Sequence, residues 1–143
     1  MKILILLSHY LHQLHDFLEY LSTHYFLSMK TLHFVKAHLF TDKQQALANI
    51  FEMGKYHEIS CRLDLATAEK DIDTILDTME IMLTTLDDIT SFSTSPLYEH
   101  MDFKKSNSTF LEQLKQELLN CFQDKETYCF LEGNERWHKL IQK

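Results

Sequence analysis

Residues 67–89 read TAEKDIDTILDTMEIMLTTLDDI, and this stretch decides the fold class. Ala68, Ile72, Ile75, Met79, Met82, Leu86 and Ile89 recur every three or four residues, the interval that lines one face of an α-helix. Leu83 widens that stripe, and Leu65 is placed to pack beneath its start. Thr67 is the expected N-cap, since its hydroxyl can accept a hydrogen bond from an unpaired first-turn amide, and Glu69 and Asp71 suit the positive end of the helix dipole. Asp87 and Asp88 oppose the dipole at the other end, so that end calls for a strong cap or a partner.

The rest of the chain offers little except helix. Its 143 residues contain two glycines, Gly54 and Gly133, and one proline, Pro96. Folds built on hairpins, tight turns or phosphate-cradling loops need many positions that only these residues fill cheaply. The expectation is therefore an all-α protein, an irregular or repeat-like bundle of six to eight amphipathic helices. A chain of this length, 45% hydrophobic and 24% charged, fits one helical domain over residues 1–143 with a respectable core.

Upstream, Leu7, Leu11, Leu14, Leu18, Leu21, Tyr25, Met29 and Leu32 repeat at helical spacing, and Phe17, Phe26, Val35 and Leu39 widen the buried stripe. A break or kink is expected at Ser22-Thr23-His24. Thr41-Asp42-Lys43-Gln44 matches a capping box, with Phe40 placed as a hydrophobic staple, so a third helix is expected to start there and run to about Met53. Gly54 is its expected C-terminal stop. Another short helix follows, roughly from Tyr56 to Leu65.

Downstream, residues 90–96 read TSFSTSP and form the best loop, a candidate subdomain hinge. Leu97 to Phe103 has room for one or two turns. Phe110, Leu111, Leu114, Leu118, Leu119 and Phe122 then mark an amphipathic helix, with Asn107 or Ser108 as its cap. A short helix from about Lys125 to Leu131 should end near Gly133, and Asn134 should cap a last helix bearing Trp137, Leu140 and Ile141.

The net charge is −7, and its distribution is uneven. Asp64 to Asp88 holds eight acids and only Lys70 as a base, while the flanks nearly balance. Glu69, Asp73, Asp77, Glu80 and Asp87 lie largely off the apolar stripe and form a candidate acidic docking face, whose field would steer a basic partner. Direct nucleic-acid binding is not expected, because Lys104-Lys105 is the longest basic run and Arg62 and Arg136 are the only arginines.

The apolar run Ile3 to Leu7 is too short for a secretory leader, and polar Ser8, His9, His12 and His15 follow at once. No stretch approaches a bilayer-spanning length, so a cytoplasmic protein without membrane insertion is expected. Cys61, Cys121 and Cys129 lack metal or redox spacing and are expected to be buried thiols.

Nine histidines are many, and His9, His12 and His15 recur three apart. A di-metal bundle would need Glu-x-x-His twice, and only Glu135-Arg136-Trp137-His138 matches. His57 and Cys61 share a helix face, a spacing weaker than any established nucleophile motif. No phosphate loop, nucleophile elbow, zinc-protease motif or Cys-x-x-Cys is present. No cofactor, metal site or catalytic residue is expected.

The turn Phe51-Glu52-Met53-Gly54-Lys55-Tyr56 resembles the linking turn of tetratricopeptide-like hairpins, without the rest of that repeat pattern. The resemblance implies peptide or protein binding. The expectation is a non-catalytic protein- or peptide-binding helical protein with a regulatory, adaptor or chaperone-like role, self-associating as a homodimer. The alternative is a helical small-ligand or metal-binding protein, or an enzyme, using the histidine-rich N-terminal half.

Overall fold

A computed structural model describes residues 16–24, 34–103 and 107–142. Among these the chain is all-α. Helix α1 covers 16–24, followed by α2 (Phe34–Ile50), α3 (Lys55–Ser60), α4 (Leu63–Glu69), α5 (Ile72–Thr84), α6 (Ser108–Phe122), α7 (Lys125–Tyr128) and α8 (Glu135–Ile141). Four 3-10 turns join them, at Leu86–Asp88, Ser91–Thr94, Pro96–Tyr98 and Cys129–Leu131. The chain divides into two compact units, Met1–Gln44 and Gln45–Lys143, and the division falls within α2.

In the first unit Leu21 is buried, and a ring series runs from Phe17 through Tyr20 and His24 to Phe40, with Tyr20 and His24 centroids 4.1 Å apart. Ser22, Thr23 and His24 are helical within α1, and the break expected there would fall, with residues 25–33, outside the described residues. The Thr23 hydroxyl donates to the Glu19 carbonyl at 2.9 Å, which satisfies it inside the helix. The expected capping box at Thr41 is absent. Thr41 is buried within α2, since nothing in Thr-Asp-Lys-Gln stops a helix already propagating from Phe34.

At the end of α2, the Met53 amide donates to the Ala48 carbonyl (2.9 Å) and the Glu52 amide to the Asn49 carbonyl (3.0 Å). This pair of bonds closes a helix through one left-handed residue, and that residue is Glu52, at φ 50°. Gly54 is therefore not the stop that the sequence suggests. It is the N-cap of α3, at φ 89°, and a side chain there would meet Ser91 Oγ at 3.0 Å.

The single helix expected over residues 67–89 is two helices. The Asp71 amide donates to Ala66 (2.9 Å) and the Lys70 amide to Thr67 (3.2 Å), with Lys70 left-handed at φ 57°. Thr67 sits inside α4 and donates to the Leu63 carbonyl, while Asp71 caps α5 by accepting from the Thr74 amide. Asn107 and Asn134 cap α6 and α8 as expected, accepting from the amides of Phe110 (2.8 Å) and Trp137 (3.1 Å).

Helix α5 is the centre of the second unit, in contact with α3, α4, α6 and α8. Ile75, Leu76, Met79 and Met82 pack with Ile59, Phe122, Tyr128, Leu131, Trp137 and Leu140. Of the expected stripe, Ala68 and Ile72 are exposed. The Trp137 indole donates to the Phe122 carbonyl at 3.1 Å, satisfying an acceptor at the end of α6 that the helix itself leaves open.

Candidate functional site

The acidic residues project from three elements. Asp73, Asp77 and Glu80 are four and three apart on α5, which puts them on one face within an arc of about 60°. Glu69 ends α4 and Asp87 lies in the 3-10 turn after α5; both are exposed. One element therefore collects three of the five candidate residues, and two lie on neighbouring elements.

A residue far along the chain completes the α5 face. Arg136 of α8 places Nη2 2.6 Å from Asp77 Oδ1 and 2.9 Å from Glu80 Oε2. The hydrogen bonds to Glu80 and Asp77 raise the guanidinium pKa above its ordinary value. All three side chains are exposed enough for water to screen the pair, so the bridge contributes less than about 1 kcal/mol to stability. Its chemical content is that this face accepts a guanidinium through two carboxylates. Sequence reading missed Arg136; the available signal was its rarity, as one of two arginines in the chain.

Beside Asp87 lies a groove of about 310 Å³ lined by Leu83, Leu86, Leu111, Glu112 and Lys115. A second, of about 470 Å³, lies against Gln123, Lys125, Glu132, Trp137, His138 and Ile141. Both are open surface depressions of mixed charge.

The Ser/Thr-rich stretch 90–96 lies inside the second unit and folds onto the turn after α2. Ser95 Oγ donates to Glu52 Oε2 (2.6 Å), and Tyr98 Oη donates to the Phe51 carbonyl (2.7 Å). His57 Nε2 lies 3.0 Å from the Ile89 carbonyl, and its ring meets Phe92 edge-on. Phe92 in turn meets Tyr98 and Phe103 edge-on. The imidazole is thus engaged by the 3-10 segment, while Cys61 Sγ donates to the Glu58 carbonyl.

The three cysteines form no disulfide, but the expectation that they are buried fails. Cys121 and Cys129 are exposed and Cys61 is half-buried, because the inward faces of α6 and the following turn are filled by the larger Leu119, Phe122, Tyr128 and Leu131. Near Tyr128, the crowding that strips water from Asp64 pushes its carboxyl pKa up although part of its surface is open. Loss of water also raises the Tyr128 pKa, and the neighbouring Thr67 side chain opposes that shift.

His9, His12 and His15 lie outside the described residues. Among the described residues no group of three or more histidines, cysteines and acids is placed to hold a metal ion. No helix among them is long and apolar enough to cross a membrane. No protein-family model, curated protein or solved structure matches the chain.

Proposed function

We propose that the chain is a non-catalytic helical protein that binds another protein or peptide of basic character through the acidic face of α5. The observation that carries this reading is the paired carboxylate seat of Asp77 and Glu80, already occupied by a guanidinium from α8. Asp73 continues that face one turn away, exposed. An arginine-bearing partner would displace Arg136 from this seat or bind beside it at Asp73, and the acidic field would speed its encounter. Regulatory, adaptor and chaperone-like roles all use such a surface. Self-association belongs to the same class of activity.

The test uses a fluorescent Arg-rich peptide as probe, titrated against the full chain at low and moderate salt. Binding that weakens with salt, and that Asp73→Asn/Asp77→Asn/Glu80→Gln lowers by about tenfold or more, supports the reading. Binding unchanged in that variant, or no binding by the parent chain, overturns it.

A further inference from the structure

Helix α2 carries two opposed apolar faces. Ala37, Thr41 and Ala48 are buried, and they lie within an arc of about 40°. Val35, Leu39, Ala46 and Ile50 lie on the other side, within an arc of about 60°, and all four are exposed. Val35 (86% exposed), Ile50 (65%) and Leu39 (53%) are the three most exposed large apolar side chains among the described residues. The sequence pattern assigns Val35 and Leu39 to the core; instead α2 turns its small residues inward and its large ones out. Scattered exposed leucines need no explanation, but three collected along one face of one unbroken helix of about 25 Å do.

We infer that this stripe is an interface between two copies of the chain, paired in parallel through α2 about a two-fold axis. The charges at its edges choose the occupant and its direction. At 100° per residue, Asp42 lies about 50° to one side of the stripe's centre and Lys43 about 50° to the other, and both are exposed. In a parallel two-fold pair, opposite edges of the two helices meet at the same level, as the e and g positions do in a parallel coiled coil. Asp42 of each copy then faces Lys43 of the other, giving two equivalent ion pairs around a seam of Val35, Leu39, Ala46 and Ile50. An antiparallel pair would set Asp42 against Asp42 and Lys43 against Lys43. A seam one helix long is at the small end of stable interfaces, so the dimer is concentration-dependent, in the micromolar range rather than obligate. The acidic face of α5 takes no part, so the inference stands or falls separately from the proposed function.

Sedimentation of the full chain across about 1 to 300 μM, well below and above a micromolar dissociation constant, tests it. The expected result is a monomer–dimer equilibrium weakened about tenfold or more by Leu39→Asp and by Ile50→Lys. Asp42→Lys alone and Lys43→Asp alone should each weaken it, and the double exchange Asp42→Lys/Lys43→Asp should restore it. Circular dichroism of each variant confirms that α-helix content is kept, which these exposed sites favour. A monomer throughout the range, or a dimer indifferent to Leu39→Asp and Ile50→Lys, overturns the inference. A dimer sensitive to those two but unmoved by the single charge changes overturns the parallel arrangement.

Discussion

Four described residues have a left-handed backbone, and only two of them are glycines. Gly54 and Gly133 are marked in the sequence; Glu52 and Lys70 are not. Each of the latter two closes a helix, a place that usually takes Gly because a Cβ there costs on the order of 1 kcal/mol. Side-chain contacts offset the cost unequally. Glu52 accepts a charge-assisted bond from Ser95, whereas Lys70 only reaches over the Phe130 ring at 5.9 Å. Lys70→Gly should therefore stabilise the protein by about 0.5 kcal/mol, the strain relieved less a weak cation–π contact. Glu52→Gly should be neutral or destabilising by about 1 kcal/mol, because the Ser95 bond goes with the carboxylate. Urea denaturation of the two variants checks the difference in sign. Neither position was legible in the sequence, since a charged side chain carries no mark of the backbone angle beneath it.

At the scale of the element, caps were easier to read than breaks. Asn107 and Asn134 each stand before an apolar periodic run and do what that placement implies. The break at Lys70-Asp71 was hidden because the apolar period continues across it with little change of phase. Asp71 then takes the cap assigned to Thr67. It accepts from both the Thr74 hydroxyl (2.6 Å) and the Thr74 amide, and these bonds hold its carboxyl below the ordinary carboxylate pKa. A depressed folded-state pKa means that the ionised form favours the fold. The contribution is complete above the ordinary value of about 4 and is lost as pH falls through the lower folded value. Asp71→Ala should cost about 1 kcal/mol at neutral pH and less as the solution is acidified through that window. Thermal melts of parent and variant at neutral and acid pH should converge on the acid side; a gap independent of pH would refute the assignment.

At the scale of the whole molecule, the second unit is closed by its last helix. Trp137 is buried, and its indole supplies the donor for the Phe122 carbonyl, joining the start of α8 to the end of α6 against α5. Trp137→Phe should cost about 3 kcal/mol, combining a buried carbonyl left without its partner and the volume lost from a packed core. Measured by denaturant titration, a loss under about 1 kcal/mol would show that α8 is dispensable to the core. The same helix delivers Arg136 to the carboxylates of Asp77 and Glu80, fifty-nine and fifty-six residues away in sequence. The amino-acid sequence by itself determined the all-α class, the positions of the last three helices, two Asn caps and the acidity of residues 64–88. These follow from periodicity, from the scarcity of Gly and Pro, and from counting, all of which are local. Tertiary structure decided which apolar face of α2 is buried, where Glu52 and Lys70 turn the chain, and that Arg136 answers the acidic helix. Each depends on what lies across the fold, and local spacing holds no information about that.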